Sequence, residues 1–123
     1  MRPATALLLV ACGGAGGGLL REAVRVLVPA SAGTWDWSVL VVNAVGAFAL
    51  AALLPVLGRR PSERVRLAVG TGLLGGLTTF SGLVVEAVLL SEADLVSAAA
   101  YVVVAVASLL AAAWAGARVV RVR

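Results

Sequence analysis

The chain has 123 residues, of which 62% are hydrophobic and only 13% are charged, and this composition excludes a soluble globular domain. It has a net charge of +4, one cysteine and no histidine, so an intrachain disulfide, a cysteine-based metal cluster and a histidine proton shuttle are excluded. No serine, cysteine or carboxylate has a catalytic base beside it in the sequence, and we expect no enzyme.

Four runs without charge predict four membrane-spanning helices. Each run is 18 to 23 residues long, and about 20 helical residues are enough to cross a hydrocarbon core of about 30 Å. The runs are Pro3–Leu20, Trp37–Gly58, Leu67–Val85 and Leu95–Ala117. We therefore predict an all-α membrane protein that forms one integral membrane domain over residues 1–123, with helices at about 4–27, 37–57, 64–90 and 95–118.

The first run shares features with a signal peptide and with a retained helix. Arg2 precedes a leucine-rich core, as in a signal peptide. The run nevertheless continues directly into Arg21 and Glu22, without a clear cleavage site before a polar mature domain. We therefore expect a retained membrane span.

Glycines four residues apart occur in the first and third runs. The pairs are Gly13 and Gly17, Gly14 and Gly18, and Gly72 and Gly76. Glycines at this spacing share one helix face and allow membrane helices to approach each other closely. We therefore interpret most of them as packing positions.

A different glycine pattern lies in the middle of the third run. Gly75 and Gly76 are followed by the hydroxyl residues Thr78, Thr79 and Ser81. Adjacent glycines and clustered hydroxyls are poor helix interior, and non-helical backbone at membrane depth is tolerated only where it is buried in protein or lines a polar cavity. The pattern predicts that the glycine pair unwinds, that the third helix is broken near its middle, and that the break forms a binding site.

Isolated polar residues in the spans each have two interpretations. Asn43 lies at membrane depth, where an interhelical hydrogen bond and a pore-lining role are equally expected. Tyr101 shares a helix face with Ser108, and it suits either a polar track or a buried position with one partner. Arg21 and Glu86 each end an uncharged run, and each suits an interfacial charge that reaches water as well as a functional role.

The arginines, which supply all ten positive charges, are distributed unevenly over the predicted loops. Eight lie in the N-terminus, the middle loop and the C-terminus, which a four-span chain places on one side, and two lie in the first loop. The positive-inside rule therefore predicts a multi-pass cell-membrane protein with both termini in the cytoplasm. Because these charges flank membrane spans without interleaved aromatic residues, we expect no nucleic-acid partner.

Residues of the first three spans form a specific combination. They are Gly13, Gly14, Gly17 and Arg21 in the first span, Val42, Asn43 and Gly46 in the second, and Gly70, Gly72, Gly75, Gly76, Thr78, Thr79, Phe80, Ser81 and Glu86 in the third. The pattern VN-x-x-G followed by GG-x-TTFS resembles the CrcB/Fluc family of fluoride channels. The resemblance extends over essentially the whole chain.

The resemblance implies an antiparallel dimer of four-helix subunits, with two fluoride pores along the subunit interface and passive fluoride efflux that gives fluoride resistance. It further implies that the backbone carbonyls of Gly75 and Thr78 bind a structural sodium ion (Na⁺) at the dimer centre, which is not transported. Asn43 and Phe80 are expected to line a pore. The lesser expected contributors are Thr79, Ser81 and Tyr101, and the accessory positions are Arg21, Leu83 and Glu86.

Two features depart from a homodimer of this family. Where the family has a second pore phenylalanine after TTFS, this chain has Leu83, whose side chain lacks the positively polarised edge of an aromatic ring. The uneven arginine distribution also disfavours a chain that inserts into the lipid bilayer in both orientations. We therefore expect a heterodimer with an oppositely oriented homologous subunit.

Two other functions stay open. The missing phenylalanine suits a non-conducting structural or assembly subunit of a heterodimeric channel. A small four-helix drug/proton exporter has a similar size and also works as a dimer, but it needs a carboxylate inside the first helix for proton coupling. This chain has none before Glu22.

Overall fold

The computed structural model describes residues 1–31, 33–57 and 62–121, and this part of the chain is helical with no strand. The helices are α1 (Pro3–Leu27), α2 (Trp37–Leu57), α3 (the consecutive segments Glu63–Val65, Arg66–Leu74 and Gly75–Leu77), α4 (Phe80–Ala93) and α5 (Leu95–Arg121). Arg59, Arg60 and Arg123, which contribute to the predicted cytoplasmic charge, lie outside the described residues.

Four stretches of these helices are long and apolar enough to cross a membrane. They are Pro3–Leu27, Trp37–Val56, Glu63–Ala93 and Leu95–Val120. The third stretch contains α3 and α4 with the junction between them. The predicted all-α architecture of four spans, with the third one broken, is therefore confirmed.

The break lies at the two threonines between α3 and α4. Thr78 (φ −76°, ψ 148°) and Thr79 (φ −143°, ψ 120°) are extended, whereas Gly75 keeps helical angles (φ −66°, ψ −35°). The expectation that the glycine pair itself unwinds is therefore wrong. The physical reason is packing: a Cβ on Gly76 would lie 2.9 Å from the Cα of Gly14, so the glycine is needed where helical α3 crosses α1.

The glycines of α1 and α3 bring the two helix backbones into contact. A Cβ placed on Gly72 would lie 2.9 Å from the Cα of Gly13, and a Cβ on Gly17 would meet the carbonyl oxygen of Leu73. Real Cβ atoms do not approach other heavy atoms so closely, so these positions require glycine. The packing interpretation is confirmed for them, while a Cβ on Gly18 would meet nothing within 4 Å.

The other packed layer consists of α2, α4 and α5. α2 packs along α5, and α5 also packs against α4. Tyr101 is fully buried in the core between these helices, together with Leu83. The hydroxyl of Tyr101 donates to the carbonyl oxygen of Asp36 at 3.4 Å, and the carboxylate of Asp36 accepts from the N–H of Ser38 at 2.9 Å in the first turn of α2. The start of α2 is thereby fixed to α5, and this sets the depth at which Asn43 faces the break.

Candidate ion site at the helix break

Asn43 on α2 holds the extended backbone of Thr79 through a pair of hydrogen bonds. The side-chain Oδ1 accepts from the Thr79 N–H at 2.7 Å, and the side-chain Nδ2 donates to the Thr79 carbonyl at 2.9 Å. Asn43 is 5% exposed. Since a primary amide has two N–H donors, one donor of Asn43 is left over after this pairing. The interhelical hydrogen bond is therefore present, and it leaves a donor for a further partner.

The last turn of α3 presents carbonyl oxygens at the break. The Thr79 N–H, which in an unbroken helix would donate to the Gly75 carbonyl, donates to Asn43 instead. The Thr78 carbonyl accepts from Nη1 of Arg21 at 3.3 Å. Gly75 is exposed, and a Cβ placed on it would meet nothing within 4 Å. The carbonyl end of a helix carries partial negative charge, so this side of the break suits a cation.

The first turn of α4 presents hydrogen-bond donors at the same break. The Oγ1 of Thr79 accepts from the Gly82 N–H at 3.0 Å and thereby caps the helix. The same Oγ1 lies 3.2 Å from the Oγ of Ser81, within hydrogen-bond distance. N–H groups at a helix start have no carbonyl one turn earlier, and they carry partial positive charge. This side of the break therefore suits an anion.

Thr79 lines two separate cavities. One, which we call the break cavity, has a volume of about 200 Å³; the other, the arginine cavity, has a volume of about 280 Å³. The break cavity is lined by Asn43, Thr78, Thr79, Phe80, Leu83 and Leu109. The polar and charged residues lining the arginine cavity are Arg21, Glu22, Arg25, Ser38, Thr79 and Ser81. Because Thr79 lines both, a small ion in the arginine cavity is one residue away from the donors of the break cavity.

Phe80 and Leu83 lie three residues apart on α4 but differ in environment. Phe80 is 79% exposed, whereas Leu83 is 6% exposed and belongs to the core around Tyr101. Both also line an apolar groove of about 450 Å³ between α4 and α5. In this subunit, the position where a second phenylalanine was expected is therefore mainly a packing position, and the ring of Phe80 faces outward.

Two of the predicted site residues lie apart from the break. Tyr101 lines neither of the two cavities, since its hydroxyl is directed at Asp36. Glu86 is half-buried and lines a separate cavity of about 350 Å³, which is also lined by Ser31 and Gly33. The alternative of a buried Tyr101 with one partner is the one observed. The sequence left the choice open for both residues, because helical spacing alone does not show which neighbouring element a face meets.

The last two turns of α1 also contribute to the site, at residues that were not predicted from sequence. Glu22 and Arg25 line the arginine cavity and form an ion pair with an Nη2 to Oε1 distance of 3.0 Å. Their spacing of three residues on a helix is the signal that identifies such a pair from sequence. The bond from Arg21 to Thr78 had no comparable signal, because it joins residues 57 positions apart.

Residues 8–117 match the family described as CrcB-like protein, Camphor Resistance (CrcB). The chain is 40% identical over 122 residues to the fluoride-specific ion channel FluC of Rhizobium leguminosarum bv. trifolii, covering 93% of this chain and 94% of that protein. It is 38% identical over 114 residues to FluC of Chelativorans sp., covering 89% and 91% of the two chains. It is also 46% identical over 84 residues to FluC 1 of Cutibacterium acnes, covering 64% of this chain and 59% of that protein.

Proposed function

We propose, from the premise that this chain belongs to the CrcB-like family, that it is a subunit of a fluoride-specific ion channel. The chain is a multi-pass membrane protein and not an enzyme. In the proposed function, fluoride leaves the cytoplasm passively and its toxicity is thereby reduced. The observation that carries the proposal is that Thr79, where the donor end of α4 begins, lines both the break cavity and the arginine cavity.

Fluoride is small and strongly hydrated, so a pore must replace its water with donors and still bind it weakly enough to release it. The free N–H of Asn43 and the hydroxyls of Thr79 and Ser81 are neutral donors along this route. The ring edge of Phe80 adds a weakly positive contact without a full charge. Tyr101 belongs to subunit packing in this proposal, because its hydroxyl is engaged by Asp36.

A structural sodium ion fits the carbonyl end of the break. Sodium is a hard cation, and such ions take oxygen ligands. The Gly75 carbonyl has lost its helical partner, and the Thr78 carbonyl keeps a second lone pair beside its bond to Arg21. These two residues would hold the ion, which when bound would supply positive charge that fixes the carbonyl ends of the break. It would stay in place while fluoride moves.

Two carbonyls are too few to enclose a cation, so the remaining ligands must come from outside the subunit. A second subunit of opposite orientation would supply an equivalent pair across the exposed surface of Gly75. It would also cover the apolar groove and the exposed ring of Phe80. The arginine distribution and Leu83 favour a homologous partner over an identical one. Relatives named FluC 1 and FluC 2 support a paired arrangement. In this arrangement both termini of this chain are cytoplasmic.

The test is reconstitution into liposomes, with fluoride efflux measured by an electrode. The chain is reconstituted alone and together with a homologue whose loop charges are reversed. We expect fluoride efflux from the pair and little from the chain alone. No efflux from any combination would overturn the channel function, whereas robust efflux from the chain alone would overturn the heterodimer.

The same preparation tests the sodium site. Replacing sodium by potassium should lower both the efflux and the thermal stability of the pair, because the carbonyls of Gly75 and Thr78 would lose their bound ion. The monomeric chain in detergent is the control, and its stability should not change. Equal efflux and equal stability in the two salts would remove sodium from the proposal.

A non-conducting assembly subunit is the second candidate, and the burial of Leu83 in the subunit core favours it. Phe80→Ala in the pair separates the two functions, since Phe80 contributes little to the subunit core at 79% exposure. For a conducting subunit we expect efflux to fall about tenfold with the assembly intact. Unchanged efflux from an intact pair would assign this chain a supporting role only.

A further inference from the structure

The arginine cavity contains two positive charges and one negative charge. Arg21, Arg25 and Glu22 are the titratable groups that line it, and together they give it a net charge of +1. The carboxylate of Asp36 lies behind Ser38, from whose N–H and hydroxyl it accepts, and does not line the cavity. The potential in the cavity therefore depends mainly on how the three charges of α1 are arranged.

The two arginines of the cavity have different hydrogen-bond partners. Arg21 donates to the Thr78 carbonyl and so points at the break. Arg25 is held by Glu22, with its Nε 3.1 Å from Oε2 and its Nη2 3.0 Å from Oε1. Glu22 thereby cancels the charge of Arg25 inside the cavity, while the charge of Arg21 remains.

The pair of Glu22 and Arg25 contributes little to the stability of the fold. Their side chains are 56% and 63% exposed, and exposed ion pairs three residues apart on a helix add little to stability because solvent screens them. A charge at the mouth of a narrow cleft, in contrast, changes the local concentration and arrival rate of a small anion. The pair is therefore placed to act on an ion in the cavity more than on the structure.

We propose that Glu22 limits the anion attraction of the arginine cavity by neutralising Arg25, and thereby tunes the rate at which fluoride passes between this cavity and the break cavity. The inference rests on the proposed function for its ion. Without Glu22 the net charge of the cavity would rise from +1 to +2. With a lower charge, an anion is drawn to Thr79 and Ser81 but is not trapped there.

The first experiment measures fluoride efflux from liposomes containing the paired channel, at about 0.01 M and about 1 M of an inert salt. Glu22→Gln should raise efflux about threefold at low salt, and the gain should vanish at high salt because the charges are exposed. Arg25→Gln should lower efflux by a similar factor. The double variant should return close to the wild-type rate, because the net charge is again +1.

Glu92→Gln is the matched control, since Glu92 is exposed near the same end of the bundle but does not line the arginine cavity. We expect it to leave efflux unchanged. An equal gain in Glu22→Gln and Glu92→Gln, or a gain that persists at high salt, would overturn the proposal.

The second experiment measures the potential in the cavity without using fluoride. Ser81→Cys, in a Cys12→Ala background, places a thiol on the cavity wall, where anionic and neutral methanethiosulfonates compete for it. Glu22→Gln should raise the rate of the anionic reagent about threefold relative to the neutral one. A shifted ratio, together with no fluoride efflux from the paired channel that keeps Ser81, would support the role of Glu22 in the potential and overturn the channel function. An unshifted ratio in a conducting channel would overturn the role of Glu22 alone.

Discussion

The two helix ends that meet at the break are built from adjacent threonines with opposite roles. The Oγ1 of Thr78 donates backward to the Leu74 carbonyl at 3.1 Å, whereas the Oγ1 of Thr79 accepts from the Gly82 N–H at 3.0 Å. Thr78 thus completes the carbonyl end of α3, and Thr79 begins the donor end of α4. Helix dipoles have a fixed direction. One break in one span therefore supplies a cation-favouring helix end and an anion-favouring helix end, with only the two threonines between them.

Asn43 keeps these two ends apart, and its removal should have the largest effect. Asn43→Ala leaves the N–H and the carbonyl of Thr79 without their side-chain partner. An unpaired buried group costs about 1–3 kcal/mol, so we expect the free energy of unfolding to fall by about 2–4 kcal/mol, allowing for partial burial. Denaturant unfolding in detergent measures this value, and efflux from the pair should fall with it.

Ser108→Ala is the control for this variant. The hydroxyl of Ser108 donates only to the carbonyl of Ala105 in its own turn, at 2.8 Å. Its removal should change the free energy of unfolding by less than about 0.5 kcal/mol. Equal stability of the Asn43 and Ser108 variants would show that Asn43 does not hold the break.

Two glycines of α3 allow two kinds of contact at the carbonyl end to be tested separately. Gly72 tests packing inside the subunit, and Gly75 tests contact with the proposed partner. Gly72→Ala places a Cβ 2.9 Å from the Cα of Gly13, and such overpacking should cost about 1–3 kcal/mol of subunit stability. Gly75→Ala meets nothing within the subunit, and helix propensity predicts equal stability or a gain of up to about 1 kcal/mol. The monomer in detergent provides both measurements.

The same two variants should have the opposite order of effect on the pairing of the two subunits, with the larger effect from Gly75→Ala. An alanine at Gly75 adds a methyl group to the surface where we place the partner and the sodium ion, so pairing and its sodium dependence should weaken. Gly72 faces α1 and should affect pairing only through the stability of the subunit. Normal pairing and sodium dependence in Gly75→Ala would contradict the proposed position of the interface.

The spans and the existence of the break could be predicted from sequence, because both depend on local composition. The four helical stretches that are long and apolar enough to cross a membrane overlap the four charge-free runs. Arg66–Leu74, the middle segment of α3, is a π-helix, and local composition did not predict this form. The break lies at Thr78 and Thr79, within the predicted pattern, but the glycine pair does not unwind. Gly76 stays helical because it contacts α1, and this depends on a neighbouring helix.

The partners of the site residues could not be predicted. Asn43 and Thr79 are 36 positions apart, and Trp35 and Ser97, whose side chains are hydrogen-bonded at 3.0 Å, are 62 positions apart. Such pairs depend on the relative depth and rotation of helices, which periodicity within one helix does not specify. The residue types at the break predicted where the helix is interrupted, while the arrangement of donors and carbonyls needed the structure.

The smallest expected effect is the difference in stability between variants that remove one or the other threonine hydroxyl. Thr79→Val removes the cap of α4, and loss of such a cap costs about 1 kcal/mol. Thr78→Val removes only a bond back to Leu74 in the same turn, so we expect less than about 0.5 kcal/mol. Hydrogen exchange should accelerate in the first turn of α4 for Thr79→Val alone. Thr79→Ser restores the hydroxyl and should restore the protection, because the cap depends on the oxygen and not on the methyl group. If both valine variants accelerated exchange equally, the two hydroxyls would be equivalent. That result would contradict the claim that Thr79 alone caps α4.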